Sequence, residues 1–301
     1  MDFFESPILS KNSVIVEKNV SLAKYTTMRV GGPADYFVEP RDEKTLICVL
    51  RAARECGVPL LLMGNGSNLL VRDGGFRGVA VRLGKGFSVI SATESGLYAQ
   101  SGALLSALAR TAADESFTGL EFAQGIPGTV GGGVYMNAGA YGGELAQAVE
   151  SVRALRGEEI VSIPGEEMAF GYRHSRAMEE NLIVLGASFR LQKGDPAAIE
   201  AAMRDFAARR RDKQPLEYPS CGSFFKRPQG HFAGALIEQA GLKGTRVGGA
   251  QVSEKHAGFL INTGGASARD VLSLMALVQR TVETRFQVRL EPEVRIVGED
   301  A

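Results

Sequence analysis

The sequence GIPGTVGGGVYMNAGAYGGE at residues 125–144 constrains the architecture more strongly than any other part of the chain. Eight glycines fall within residues 125–143, about six times the number expected from the ~7% glycine content of average proteins. A glycine inside a helix or strand destabilises it by ~0.5–1 kcal/mol relative to alanine. The glycines therefore indicate close passage of the backbone over a large planar or phosphorylated ligand. A purely structural set of turns is the alternative.

A second glycine segment, GNGSN at residues 64–68, directly follows a predicted buried strand at residues 58–63. Small residues let a backbone turn sharply and direct several N–H groups at one point, which is how anion-binding loops are built. An ordinary turn between strands is the alternative. Two such segments in one domain indicate a dinucleotide with a diphosphate, although the common Gly-x-Gly-x-x-Gly and P-loop fingerprints are both absent.

Helical and strand-like patterns alternate around these segments, which predicts a mixed α and β protein. At 301 residues the chain is long enough for two domains. A composition shift near Lys193 predicts a boundary there, with one domain at residues 1–193, of which residues 1–20 are peripheral, and a second at residues 194–301. Helices are predicted at residues 43–56, 103–115, 196–211, 231–240 and 267–286. Strands are predicted at residues 58–63, 76–83, 87–92, 97–101, 149–156, 159–163, 182–191 and 286–297.

Composition excludes several classes of function. Thirty-four basic residues balance thirty-four acidic ones, so the basic excess typical of nucleic-acid binding is missing. The first residues lack a signal-peptide pattern, and the longest uncharged stretch, residues 122–143, is too rich in glycine for a membrane helix. Three cysteines without Cys-x-x-Cys spacing and three widely separated histidines predict neither disulfides nor a metal site. We predict a cytoplasmic protein that binds no nucleic acid, membrane or metal.

Seven motifs, in order and spanning nearly the whole chain, resemble those of the UDP-N-acetylenolpyruvoylglucosamine reductase family. The segment between the GYRHSR and CGSFFKRP motifs is short, as in the compact form of the family that lacks an extra substrate-covering insertion. The motifs are YTTMRVGGPADYF (25–37), GNGSNLLV (64–71), GIPGTVGGGVYMNAGAYGGE (125–144), GYRHSR (171–176), CGSFFKRP (221–228), LIEQAGLKG (236–244) and LEPEVRIVG (290–298).

The resemblance implies an α+β fold, with an FAD-binding domain of the vanillyl-alcohol-oxidase type built from two α+β subdomains. A smaller α/β C-terminal substrate domain would follow. The implied activity is NADPH-dependent reduction of UDP-N-acetylglucosamine enolpyruvate to UDP-N-acetylmuramate, a step of peptidoglycan synthesis on which cell shape and division depend. We expect a monomer with small-molecule partners only. Because no histidine precedes His174, and Cys48 and Cys56 fall in a predicted helix, we expect FAD to be held non-covalently.

Three residues match the family's catalytic positions. Arg173 would stabilise negative charge that develops on the substrate, because arginine stays charged at any working pH. Ser223 would donate a proton to carbon. Glu293 matches the third position, although strand alternation alone cannot choose it over Glu291. Taken without the resemblance, Arg173 could form a surface ion pair, Ser223 could belong to a turn and Glu293 to a solvated face.

The remaining implied contacts are with the cofactor and with UDP. Residue 227 is arginine where many relatives have asparagine, which leaves its role open. The cofactor residues implied are Gly64, Asn65, Gly66, Ser67, Asn68, Gly125, Ile126, Pro127, Gly128, Thr129, Gly131 and Gly139. The substrate residues implied are Arg210, Lys213 and Lys226.

Two alternatives remain open at this stage. Another FAD-dependent oxidase or dehydrogenase of the same superfamily, acting on an alcohol or a sugar, would need the glycine segments but neither Ser223 nor Glu293. A catalytically inactive nucleotide-binding or regulatory protein on the same scaffold would need none of the three catalytic positions.

Overall fold

The computed structural model describes residues 2–301, which form eight α-helices and nineteen strands. The helices are Pro7–Lys11, Glu43–Cys56, Leu105–Asp114, Val130–Met136, Arg176–Glu179, Pro196–Lys213, Ala233–Gln239 and Ala268–Phe286. The strands are Glu17–Ser21, Pro33–Val38, Leu60–Met63, Leu69–Val71, Phe76–Arg82, Ile90–Thr93, Gly96–Gln100, Phe117–Thr118, Gly139–Ala140, Gly143–Glu144, Val149–Arg156, Glu159–Pro164, Ile183–Arg190, Gln192–Lys193, Ser220–Ser223, Arg246–Val247, Ala250–Val252, Phe259–Asn262 and Arg295–Val297.

The chain forms two compact units, each assembled from separate parts of the sequence. The first unit contains residues 2–16, 38–65 and 80–209. The second unit contains Glu17–Phe37, Gly66–Val79 and Arg210–Ala301. The division therefore falls inside the GNGSN loop, between Asn65 and Gly66. The predicted domain boundary between residues 193 and 194 stays a prediction.

The first unit is built around a five-stranded antiparallel sheet. Its strand order is Glu159–Pro164, Val149–Arg156, Ile183–Arg190, Gly96–Gln100, Ile90–Thr93. The helices Leu105–Asp114 and Val130–Met136 pack against this sheet and bury the side chains that face it. The sheet helps to fix the position of the long glycine segment, because Val130–Met136 is part of that segment.

The second unit contains an antiparallel sheet in the order Ser220–Ser223, Phe259–Asn262, Ala250–Val252, Arg246–Val247. The helix Ala268–Phe286 packs on two of its strands and buries one apolar stripe at helical spacing, Val271, Leu274, Val278 and Val282. In the same unit, Leu69–Val71 pairs in parallel with Arg295–Val297. This pairing joins the chain that follows the GNGSN loop to the last motif of the sequence.

Most predicted elements are confirmed, and helix ends with local signals are confirmed closely. Asp42 caps the helix Glu43–Cys56 through its carboxylate, and Gly57 ends it in the left-handed region at φ 65°. The predicted capping box before residue 268 is present, with Ser267 and Asp270 each accepting from the other's backbone N–H.

The predicted final strand at residues 286–297 is wrong for most of its length. The helix Ala268–Phe286 occupies the first position, and Gln287 then turns the chain at φ 57°. Pro292 lacks an N–H and cannot donate in a ladder, and it forms only an isolated bridge with Phe225, whereas Arg295–Val297 forms a strand. The apolar side chains still alternate inward, with Leu290 and Val294 buried. The pattern therefore identified the buried face but not the backbone pairing.

Three short strands between residues 246 and 262 were not predicted, because runs of two to four residues carry too little pattern. No helix within residues 2–301 combines the length and the apolar character needed to cross a lipid bilayer.

Candidate active site

Within the first unit, the start of the GNGSN segment, Gly64 and Asn65, contacts the second glycine segment. The Asn65 side-chain amide donates to the carbonyl of Pro127 at 2.7 Å. A Cβ atom added to Gly64 would lie 2.3 Å from Thr129 Oγ1, so a larger residue at 64 would push the segments apart. Gly64 and Asn65 therefore lie directly against the loop before Val130–Met136.

The GNGSN loop retains unused hydrogen-bond donors. Within the described residues 2–301, none of the backbone N–H groups of residues 64–68 donates a hydrogen bond. Successive free N–H groups in a tight loop are the donor set that binds phosphate. The close backbone approach at Gly64 and these free donors fit the diphosphate of a dinucleotide.

The other predicted cofactor residues occupy the second loop and the elements that follow it. Gly125, Ile126, Pro127 and Gly128 lie in the loop itself, and Thr129 caps the helix Val130–Met136 by accepting from Gly132 N–H at 3.5 Å.

Two predicted glycines have a packing reason of their own. Gly131 donates its N–H to Ser101 O at 2.8 Å, and a Cβ there would meet the Ser101 side chain at 2.8 Å. Gly139 lies in a small hairpin, where a Cβ would meet Gly143 O at 2.7 Å. The structural alternative therefore accounts for part of the glycine content. Direct contact of Gly131 and Gly139 with a cofactor stays a prediction.

Arg173 lies at the tip of a tight turn in the first unit. Gly171 and His174 close this turn with two reciprocal backbone hydrogen bonds of 3.1 and 3.2 Å. Arg173 adopts φ 55°, a conformation that costs most non-glycine residues free energy, and its guanidinium carbon lies 5.1 Å from the centroid of the Tyr172 ring. Strained residues of this kind concentrate at functional sites.

Ser223 and Glu293 lie on neighbouring segments of the second unit. Ser223 ends the strand Ser220–Ser223, and the next residue, Phe224, accepts the Glu293 N–H at its carbonyl at 2.9 Å. Phe225 and Pro292 form a further bridge between the same segments. The structure thus places the two residues close along the backbone, although they are far apart in sequence.

Glu291 and Glu293 differ in their surroundings, and the catalytic role of Glu293 stays a prediction. The Glu291 carboxylate is largely exposed and pairs with Lys226 Nζ at 3.5 Å, whereas Glu293 is half-buried. The nearby Cys221 is no candidate nucleophile, because burial raises the pKa of its thiol to about 12 and its Sγ donates to Leu69 O at 3.4 Å.

Sequence analysis missed a second connection of the GNGSN loop. The Asn68 side-chain amide donates to the carbonyl of Glu293 at 3.1 Å, and Arg295 N–H donates to Asn68 O at 3.1 Å. Asn68 was predicted only as a cofactor residue. No local pattern could reveal the bond, because it joins residues 225 positions apart.

The three basic residues predicted to bind the substrate differ in exposure. Arg210, in the last turn of Pro196–Lys213, is buried at 7% exposure, whereas Lys213 is exposed. Lys226 is half-exposed and paired with Glu291. The guanidinium of Arg227 lies 4.5 Å from the ring centroid of Phe232, which is 62% exposed. Across the described part of the chain, no three His, Cys, Asp or Glu side chains are grouped to hold a metal ion.

Comparison with known proteins gives two domain matches. Residues 34–161 match an FAD binding domain, and residues 214–297 match the UDP-N-acetylenolpyruvoylglucosamine reductase C-terminal domain. A UDP-N-acetylenolpyruvoylglucosamine reductase of Clostridium novyi is 50% identical over 295 residues, which cover 98% of this chain and 95% of that protein. The chain belongs to the UDP-N-acetylenolpyruvoylglucosamine reductase family.

Other members of the reductase family agree in sequence and structure. The reductase of Shouchella clausii is 50% identical over 286 residues, covering 95% of this chain and 92% of that protein. The crystal structure of the reductase from Thermus caldophilus superposes with a TM-score of 0.82 at 36% identity, covering 95% of this chain and all of that one. The predicted α+β fold, with an FAD-binding domain and a reductase C-terminal domain, is confirmed. Both glycine segments lie within the FAD-domain match.

Proposed function

We propose that this protein catalyses the NADPH-dependent reduction of UDP-N-acetylglucosamine enolpyruvate to UDP-N-acetylmuramate in bacterial peptidoglycan synthesis. It is an FAD-containing oxidoreductase of the reductase family, with small molecules as its substrates. The observation that carries the proposal is the pairing of the Ser223 segment with the Glu293 segment in the second unit. An alcohol or sugar oxidase has no use for this pair.

Residues 64–68 and 125–129 would hold FAD, through free N–H groups on the first loop and the close approach of the second. When bound, FAD supplies the hydride that NADPH provides and that the enolpyruvyl double bond accepts. Non-covalent binding fits the positions of Cys48 and Cys56, which lie on the helix Glu43–Cys56 and not on either glycine loop.

Arg173 stabilises the negative charge that develops on the carboxylate-conjugated enol after hydride addition. A guanidinium is planar, stays charged and can form two parallel hydrogen bonds with a carboxylate. A fixed donor of this kind contributes most when it is already in place before the reaction begins. The tight turn between Gly171 and His174 supports such a role, because it limits the positions that the Arg173 backbone can take.

Ser223 donates its hydroxyl proton to the carbon next to the one that received the hydride. A carbon–hydrogen bond forms, the Ser223 oxygen–hydrogen bond breaks, and the serine oxygen then regains a proton from solvent water. We propose that Glu293 takes part in this proton transfer, since its backbone is bonded to the residue that follows Ser223.

Arg210, Lys213 and Lys226 are proposed to bind the UDP diphosphate. Lys226 pairs with Glu291 at the surface, an ion pair that contributes at most ~1 kcal/mol to stability and so opposes phosphate binding little. We further propose that the enzyme is a cytoplasmic monomer.

Replacing Ser223 with alanine tests the proposed function. In stopped flow, NADPH should bleach the yellow absorbance of the Ser223→Ala enzyme at close to the normal rate. Return of the colour on addition of the enolpyruvyl substrate should slow by ~10²–10⁴-fold, the usual contribution of general acid catalysis. Ser220→Ala on the same strand is the matched control. It should change neither the phase of bleaching by NADPH nor the phase in which the substrate restores the colour. Equal slowing of both phases, or of neither, would contradict the role of Ser223.

A further inference from the structure

The turn that carries Arg173 is short, and Arg173 adopts an unfavourable backbone conformation within it. It consists of two residues between one pair of backbone hydrogen bonds, and Tyr172 is 56% exposed. A non-glycine residue in a sparsely populated backbone conformation costs ~1–3 kcal/mol unless its surroundings enforce it. The φ of 55° at Arg173 therefore requires contacts from elsewhere in the first unit.

Asn137 provides one of these contacts. It ends the helix Val130–Met136, is only 1% exposed, and donates its side-chain amide to the carbonyl of Gly171 at 3.0 Å. Its Oδ1 atom accepts from Ala146 N–H at 3.0 Å. An asparagine side chain carries one donor group and one acceptor oxygen. Here the donor bonds Gly171 and the acceptor bonds Ala146. The amide orientation is therefore fixed by its two partners.

Ser175 provides the second contact, on the other side of the turn. It is fully buried, and its Oγ donates to the carbonyl of Tyr135 at 2.8 Å. Gly171 and Ser175 flank the turn, and both are bonded to the last residues of the same helix. That helix, Val130–Met136, lies within the long glycine segment at residues 125–144 and is capped at its start by Thr129. The two contacts thus attach the Arg173 turn to the glycine segment through one short, rigid element.

We propose that Asn137 is a positioning residue for Arg173, an inference that rests on the proposed function. Its side-chain amide holds the Gly171 carbonyl and so keeps the turn in the one conformation that presents the guanidinium. Displacing a reacting or stabilising group by about 1 Å can slow a reaction by ~10²-fold. We therefore expect loss of the Asn137 donor to slow the reaction by misplacing Arg173, in addition to any loss of fold stability.

Asn137→Asp is the sharpest test, because it removes the donor to Gly171 while keeping the side-chain volume and the acceptor for Ala146. We expect the substrate-dependent return of colour to slow by ~10–100-fold. In an Arg173→Ala background the same change should slow it less than twofold further, because the residue through which Asn137 acts is gone. Effects that multiply in the double variant would overturn the proposal.

A second readout needs neither turnover nor substrate. Hydrogen exchange by mass spectrometry on the protein as isolated should show residues 171–175 exchanging at least tenfold faster in Asn137→Asp. Ser95→Ala removes a side-chain bond to Glu150 in the same unit and is the matched control, with no change expected at residues 171–175. Unchanged exchange in Asn137→Asp would overturn the proposal.

Two further arms keep the test decisive. If Asn137→Asp does not fold, Asn137→Gly replaces it, because glycine accepts the left-handed backbone at residue 137 (φ 44°), with the same expected exchange and the same comparison in the Arg173→Ala background. If the wild-type enzyme does not regain colour with the enolpyruvyl substrate, the proposed function fails. The exchange measurement still decides whether Asn137 holds the turn.

Discussion

At the scale of single residues, Asn65 and Asn68 of the GNGSN loop have different partners. Asn65 is bonded to the carbonyl of Pro127 in the second glycine segment, and Asn68 to the carbonyl of Glu293. A net hydrogen bond contributes ~0.5–1.5 kcal/mol, so each loss should be measurable as a change of about two- to tenfold.

We predict that the two alanine variants affect different properties. Asn65→Ala should raise the FAD dissociation constant about two- to tenfold, measured by flavin fluorescence titration, because it loosens the contact between the glycine segments. Asn68→Ala should slow the substrate-dependent return of colour by a similar factor, because it frees the segment that carries Glu293. Each variant serves as the control for the other. If both variants show the same defects in both measurements, then the Asn65 bond does not act on FAD binding alone and the Asn68 bond does not act on the substrate-dependent step alone.

A third residue, His256, makes stability depend on pH. Its Nδ1 atom accepts from Gly258 N–H at 3.1 Å, and burial is the main cause that lowers its pKa below the ordinary 6.5. The unfolded chain therefore binds a proton at a higher pH than the folded chain does. Stability from the neutral ring is complete above pH ~7.5 and is lost as pH falls through 6.5 towards the lower folded pKa.

We predict that His256→Asn flattens the change in urea midpoint between pH 5 and pH 8. An asparagine oxygen can still accept from Gly258 N–H but does not titrate in this range. The control is His231→Asn, which replaces an exposed histidine. An equal slope in His256→Asn and the wild type would exclude His256 as the source.

Single residues also show what the sequence could predict of the site. The motifs identified Arg173, Ser223 and Glu293 as candidates, but alternation alone could not separate Glu293 from Glu291. The family motif favours Glu293, and the pairing of Glu291 with Lys226 is visible only in the folded chain. Asn137 was not predicted for the same reason, because its partner Gly171 lies 34 positions away.

At the scale of elements, the N-terminus of Ala268–Phe286 receives unusually many acceptors. Ser267 Oγ accepts from Asp270 N–H at 3.0 Å, and the Asp73 carboxylate accepts from Ala268 and Arg269 N–H at 2.8 and 2.9 Å. The first N–H groups of a helix have no partner within it, so acceptors there stabilise the helix directly. This helix carries the apolar stripe of the second unit.

We predict that Ser267→Ala lowers the free energy of unfolding by ~0.5–2 kcal/mol, the usual cost of removing a helix cap. Asp73→Ala should lower it by a similar amount, because it removes acceptors from two N–H groups at the same helix end. Urea unfolding measures both. Glu283→Ala, an exposed change in the same helix, should leave the midpoint nearly unchanged. If Asp73→Ala does not change the free energy of unfolding, then solvent fully replaces the carboxylate as acceptor.

Elements also show where sequence prediction succeeds and where it fails. Helix ends were predicted well because their signals are local, as with Gly57 after Glu43–Cys56 and Ser267 before Ala268–Phe286. The last strand was predicted too long because a strand needs a partner, and its partner Leu69–Val71 is remote in sequence. The alternation of Leu290 and Val294 reports burial, which a non-strand segment can satisfy equally well.

At the scale of the whole molecule, the cofactor should be a separable part of the protein. We predict that acid precipitation releases all of the yellow colour into the supernatant and leaves a colourless pellet. Saturating FAD should also raise the thermal midpoint of the FAD-free protein, since a ligand at 100 times its dissociation constant stabilises the folded state by ~2.7 kcal/mol. Adenosine alone, which lacks the diphosphate, is the matched control and should raise the midpoint much less. Colour that stays with the precipitated chain would mean covalent attachment.

The parallel pairing of Leu69–Val71 with Arg295–Val297 has a consequence for biosynthesis. Asn68 emerges from the ribosome 225 residues before Glu293, which it binds. At ~5–20 residues per second of synthesis this delay lasts about 11 to 45 s. Throughout it the strand Leu69–Val71, which is buried in the folded protein, has no partner strand. A polypeptide released early never completes the second unit. We therefore expect nascent and truncated chains to take up little cofactor, so that only chains made through residue 297 compete for the cell's FAD.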